Sequence, residues 1–186
     1  TRQRQPGEPF KLLFVGSWMA RKGVDLLAPI LHELGEGFVL HYTGGPAAQK
    51  DKTHMPPNMI DMGRLQGDAA VVAAMQNADA LLFPSRSEGH PLVAVEAMAC
   101  GLPIIGMHGS SVSEAVTDGQ TGLLCPQNDV AAFVTATRSL AADKARYASL
   151  AQAARLQAVE HFSEASMIDA YLHLYHCVAA GAKGAL

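Results

Sequence analysis

Apolar positions along this chain fall into two alternating patterns. Short continuous runs cover residues 10–15, 38–42, 80–83, 103–107 and 123–125, the length of buried strands. A weaker run covers 58–62 and ends at Gly63. Between the runs, apolar residues recur at helical spacing over 24–34, 69–77, 91–99, 113–117, 128–142 and 144–161. A last helical pattern runs from Ser163 through Tyr175. Pro29 falls inside the first of these helices and predicts a kink or a late start. Asp68 and Ser163 are the predicted N-caps of their helices. Pro91 is predicted at the first position of its helix, with Gly101 as the stop. Gly44-Gly45-Pro46 closes the second strand, and residues 46–57 read as a polar loop.

Strands that alternate with helices predict an α/β fold: a Rossmann-like parallel sheet with helices on both faces. Such sheets bind ligands beyond the C-terminal ends of the strands, where the strand order reverses. The segments that follow strands, at 16–23, 44–46, 63–65, 84–91 and 107–113, are therefore expected along one edge.

With 186 residues, the chain is long enough for one well-buried core. The expected division is a polar tail at 1–9, a domain at 10–178 and a second tail at 179–186. The start, without an initiator Met, reads as a domain cut from a longer protein at a linker. A net charge of −3 and a single basic pair, Arg21-Lys22, argue against nucleic acid as a partner. Three cysteines, Cys100, Cys125 and Cys177, lack metal-ligand spacing. Cys100 and Cys125 lie in apolar runs and read as reduced core residues. No run reaches the length of a membrane span, and the polar start does not resemble a signal peptide, so the expected location is the cytoplasm. A dinucleotide fingerprint and a Walker lysine motif are both missing from the sequence.

The chemistry concentrates in Pro84-Ser85-Arg86-Ser87-Glu88-Gly89-His90-Pro91-Leu92-Val93-Ala94-Val95-Glu96. Glu88 falls in a loop after an apolar strand. Glu96 falls in a helix that reads as apolar all round, where a charge is costly without a partner. A helix start in front of that loop offers free N–H groups and a partial positive charge to an anion. Two carboxylates flanking an anion site suit a ligand with hydroxyls on both sides of a phosphate, as in a nucleotide sugar. The alternatives are an exposed loop acid for Glu88 and, for Glu96, an acid paired with a Lys or Arg from another element.

The run Glu88 to Glu96 resembles the Glu-x7-Glu signature of retaining glycosyltransferases with the GT-B fold, group 1 (family 4). Glu-Ala-Met-Ala-Cys-Gly-Leu-Pro at 96–103 is close to that family's wording. So are Asp118-Gly119 with Thr121-Gly122-Leu123-Leu124, and Gly16 with Lys22-Gly23-Val24-Asp25-Leu26-Leu27. The blocks run in the family's order from about Lys11 to Tyr175.

The resemblance implies that the chain is the C-terminal, donor-binding half of a GT-B enzyme whose acceptor-binding N-terminal half is absent. It implies a UDP- or GDP-linked sugar as substrate, no cofactor and no metal. Any membrane association would come through the absent half. Lys22 then contacts the diphosphate, and Glu88 holds hydroxyls of the donor sugar. Glu96 takes the ribose diol, and Gly63 and Arg64 lie by the base. Gly16 and Gly89 let backbone approach the ligand, Pro91 has no N–H to give, and His90 is placed to touch the sugar. The N–H groups of Leu92 and Val93 are expected to face the phosphates. The family often has Arg directly after the first glycine. Here that position is Ser17, with Arg21 nearby. Trp18 is expected to pack under a helix or cover the site. Glu114 stands at the family's third acidic position, behind Ser110-Ser111 where the family has glycines, with His108 beside it. The isolated domain is expected to catalyse little. The rival readings are a nucleotide-sugar-binding module without chemistry, and a GT-B phosphorylase or epimerase.

Overall fold

Strand β1 (Phe10–Phe14) lies near the middle of a six-stranded sheet with β2 (Phe38–Tyr42), β3 (Met59–Asp61), β4 (Ala80–Phe83), β5 (Ile104–Met107) and β6 (Gly122–Cys125). The computed structural model describes residues 2, 4, 5, 7–43 and 55–180. All pairings are parallel, and the spatial order is β3-β2-β1-β4-β5-β6. The order reverses between β1 and β4, so a crevice opens there at the strands' C-terminal ends.

The helices are α1 (Val24–Leu34), α2 (Gly67–Gln76), α3 (Leu92–Ala99), α4 (Val112–Ala115), α5 (Val130–Ala142), α6 (Lys144–His161) and α7 (Glu164–Ala179). Alternate strand residues feed two cores. Leu12, Phe14, Leu82 and Ile105 pack with Leu27, Ile30 and Leu31 of α1 and Phe133 of α5. Leu13, Leu81, Phe83 and Ile104 pack with Met75 of α2, Ala97 and Met98 of α3, and Ala154 of α6. The sheet is thus covered on both faces, as parallel sheets require.

Most of the expected elements form, with shifts that have local causes. Helix α1 runs through Pro29 from Val24 to Leu34, so its start is not late. Asp68 does not cap α2. Gln66 holds the cap position without a side-chain bond, Gly67 opens the helix at a positive φ, and Asp68 sits in the first turn. Pro91 caps α3 rather than opening it, and its carbonyl accepts from Ala94 and Val95. Gly101, at φ 68°, donates to Met98 O while Leu102 donates to Ala97 O, so the glycine stop at the end of α3 forms as expected. Helix α4 covers 112–115 instead of 113–117, and α5 starts at Val130 because Asp129 caps it by accepting from Ala132. Ser163 caps α7, accepting from Ser166, and that helix extends to Ala179. The expected turn at 44–46 and most of the loop at 46–57 lie outside the described residues.

Residues of the expected tail are built into the domain. Arg2 donates to the buried Asp79 at 2.7 Å and also pairs with Glu8. Arg4 lies over the Phe10 ring and donates to Ala141 O. Cys125 is buried, whereas Cys100 is only partly so. Among the described residues, no helix is long and apolar enough to cross a membrane.

Candidate functional site

The loops after β1 and β4 meet at the crevice. After β1 the chain makes a 3-10 turn (Ala20–Lys22) closed by Gly23 in the left-handed region, φ 69°. A Cβ on Gly23 would lie 2.0 Å from Pro84 O, so only glycine lets this turn seat on the end of β4. That seating aims Lys22 at Glu88. The ammonium donates to Glu88 Oε1 at 2.5 Å, with the side chains 16% and 8% exposed. Ser85 Oγ donates to the same oxygen and is also within 3.2 Å of Arg21 O. Arg21 Nη1 lies 3.6 Å from Glu88 Oε2 and donates to Ser87 O, its side chain largely open to solvent. The Glu88 carboxylate is thus not an exposed loop acid. It is a sheltered anchor that draws two cations to one spot.

Gly16 is part of the same cluster. Its N–H donates to Thr43 Oγ1 at 2.9 Å, and a Cβ there would come 4.0 Å from the Lys22 stem. Ser17 is exposed. Trp18 packs edge-on to Phe14 and tilted against Tyr42, which makes it a wall residue beneath the loop. Gly89 and His90 are exposed, Pro91 is buried, and no atom lies within 4 Å of a Cβ built on Gly89. The Leu92 N–H is taken by His90 O, contrary to expectation. That leaves the Val93 N–H, at the start of α3, without a backbone acceptor among the described residues.

Glu96 corrects the reading of α3 as apolar all round. The helix buries Ala94, Ala97 and Met98 and turns Leu92 and Glu96 outward. Partial burial, and then the nearby Asp68, hold the Glu96 carboxyl above its ordinary range. Asp68 is in the first turn of α2, so the start of that helix, where the segment from β3 ends, lies near Glu96. Gly63 sits in that segment at φ 67°, its N–H donating to Asp61 Oδ1, and Arg64 is exposed. Neither contacts the Lys22–Glu88 cluster among the described residues. Glu114 and His108 are exposed on the loop and short helix after β5. The Ser110 and Ser111 hydroxyl oxygens are buried without a partner among the described residues.

Two residues of the site escaped the motif reading. Ser85 fixes Glu88, and Arg86 ties the loops together. Their signal was adjacency to Glu88 in the run Pro84-Ser85-Arg86-Ser87. A cavity of about 620 Å³ lies at the opposite edge of the sheet, by Ala78 and Leu102, which precede β4 and β5. It holds none of this chemistry. No group of three His, Cys, Asp or Glu among the described residues is placed to hold a metal ion.

The doubly wound parallel sheet is that of one half of a GT-B fold, and the Lys22–Glu88 cluster lies at its switch point. The profile of the glycosyl transferases group 1 matches residues 9–143. The chain is 31% identical over 196 aligned positions to D-inositol 3-phosphate glycosyltransferase 1 of Catenulispora acidiphila, covering 96% of this chain and 47% of that protein. It therefore belongs to the group 1 glycosyltransferases. Sucrose-phosphate synthase from Thermosynechococcus elongatus superposes with a TM-score of 0.81 at 26% identity, over 96% of this chain and 47% of that one. HepE of Anabaena, solved in complex with UDP-glucose, shares the fold at a TM-score of 0.76 and 19% identity, over 83% and 45% of the two chains. The chain thus spans about half the length of these relatives.

Proposed function

We propose that this chain is the C-terminal, nucleotide-sugar-binding half of a retaining glycosyltransferase. The whole protein would move a hexose-type sugar from a nucleoside diphosphate to a hydroxyl acceptor in glycan or glycolipid synthesis. The observation that carries this reading is Lys22 held against Glu88 at the crevice, beside the start of α3.

Breaking the anomeric C–O bond sends its electron pair to the diphosphate. Groups that offset this charge act best when placed beforehand. Lys22, Arg21 and the Val93 N–H supply them here. Glu96, raised in pKa and outward-facing, is suited to accept from a ribose diol. Gly63 and Arg64 flank that side, toward the base. Glu88 keeps Lys22 oriented and has an oxygen available for a sugar hydroxyl. In the retaining course the acceptor oxygen bonds the anomeric carbon on the face the diphosphate leaves, and a leaving phosphate oxygen takes the acceptor's proton. No side chain of this chain then serves as nucleophile. The acceptor comes from the other half of the cleft, on a separate domain working in the cytoplasm or at the inner face of a membrane.

The relatives' names support a sugar-transferring reading, and the UDP-glucose complex of a protein with the same fold supports the ligand class. Calorimetric titration of the chain with UDP, GDP and ADP, without metal, tests it. Binding of one nucleotide that Glu96→Ala abolishes supports the assignment. Binding that Glu96→Ala and Lys22→Ala both leave intact overturns it.

A further inference from the structure

The turn that carries Lys22 buries none of its residues, so apolar packing does not hold it. Arg86 holds it from the far side, through both its guanidinium and its backbone N–H. Arg86 Nη1 donates to Ala20 O at 2.6 Å, and the Arg86 backbone N–H donates to Arg21 O at 2.8 Å. The same guanidinium grips Asp25, in the first turn of α1, through two bonds of 2.7 Å. Its Nε donates at 2.7 Å to Asn128 Oδ1, in the loop between β6 and α5. Asn128 is, among the described residues, the non-glycine residue at positive φ, 59°, and its amide oxygen accepts from Arg86. One side chain therefore joins the loops after β1, β4 and β6.

We propose that Arg86 is a positioning residue for the donor diphosphate, acting through Lys22 by locking the Ala20–Lys22 turn against the β4 loop. The proposal rests on reading the Lys22–Glu88 cluster as the donor site. Arg86 itself is committed elsewhere: of the five N–H donors of a guanidinium, four make the bonds above. The planar fork is essential to this arrangement. A lysine can reach one partner as a point charge but cannot grip Asp25 through two bonds while holding Ala20 and Asn128. Asp25 responds in kind, its carboxyl held below the ordinary range chiefly by the Arg86 bonds.

The test is a double-mutant cycle on the chain, with UDP as probe, together with the ¹⁵Nζ NMR signal of Lys22. In the wild type, pairing with Glu88 should slow exchange enough for that signal to be seen. Arg86→Ala, Arg86→Lys and Asp25→Asn are expected to broaden or erase it, and both Arg86 variants to weaken UDP binding about tenfold or more. In the Lys22→Ala background, Arg86→Ala should cause no further loss. Additive losses would mean that Arg86 contributes independently of Lys22, and would overturn the proposal. So would an unchanged Lys22 signal in folded Arg86→Lys. If the wild type fails to bind UDP, the donor reading is in question, yet the Lys22 signal across the variants still decides whether Arg86 positions that lysine.

Discussion

Lys22 and Glu88, 66 residues apart in sequence, form one ion pair of 2.5 Å at the point where the strand order turns around. Each has a second hold on the structure. Lys22 stands on a turn that Gly23 seats against Pro84, and Glu88 is fixed by Ser85. On the proposed reading, a donor entering this crevice meets a charge pair already assembled.

Removing one partner leaves the other sheltered and poorly compensated. Lys22→Ala is expected to destabilise the chain by about 1–3 kcal/mol, the usual cost of a buried polar group that loses its partner. Lys22→Met combined with Glu88→Gln should recover much of that loss, because no charge is then stranded. Urea unfolding of wild type, Lys22→Ala and the double variant measures it. Equal stability of Lys22→Ala and wild type would mean that the pair is dispensable to the fold.

Glu96 is expected to behave in the opposite sense. Its carboxyl is raised above 4.5 by burial and Asp68, so the folded chain holds that proton more tightly than the unfolded one. Stability contributed by this group is therefore full at low pH and falls as pH rises through the raised value. Glu96→Gln should raise the melting temperature of the ligand-free chain at pH 7, with the gain fading below pH 4.5. A lowered melting temperature at pH 7 would count against this account. Loss of nucleotide binding alongside a stability gain is the signature of a group kept for its ligand.

Two glycines separate architecture from ligand approach. Gly23→Ala forces a Cβ onto Pro84 O at a strained φ, and a loss of about 3 kcal/mol or more is expected. Gly89→Ala meets nothing and should leave stability within about 0.5 kcal/mol. If the backbone at Gly89 approaches the donor, the same variant weakens nucleotide binding. Thermal melts and titrations of both variants separate the two cases.

Helix α7 buries none of its residues and presents Met167, Ile168, Tyr171, Leu172, Tyr175 and Val178 to solvent. A contiguous apolar stripe of this size favours association. The chain by itself is expected to elute as a concentration-dependent dimer, and Ile168→Glu with Tyr175→Glu to return it to a monomer. A monomer at all concentrations would remove this expectation.

Much of this was legible in the sequence. The parallel sheet followed from strands that alternate with helices along the chain, since each crossover helix returns the next strand in the same direction. Lys22, Glu88 and Glu96 were marked by motif spacing. The surroundings of the last two were not. Helix α3 has only one polar residue, so its pattern could not show that Glu96 faces out beside Asp68. Nor could spacing show that Glu88 meets Lys22, since that contact depends on β1 pairing with β4. Asp68 looked like a cap because it is the usual residue for one, but Gly67 supplied the turn first. Arg2 looked like part of a tail because its partner, Asp79, lies 77 residues away.

The strand order also constrains how this chain can assemble. β1 pairs on one side with β2, its neighbour in sequence, and on the other with β4, which arrives only after β3 and α2. Closing so long a stretch costs more chain entropy than any local step, and it comes before the contacts that repay it. The Lys22–Glu88 site straddles that seam. A chain stopped before β4, or a partly folded one with the seam open, would contain β1, α1 and β2 intact and still lack the Lys22–Glu88 pair. On the proposed reading, donor binding is tied to completion of the sheet, and a nucleotide added during refolding would capture only molecules in which the two ends of the seam have met.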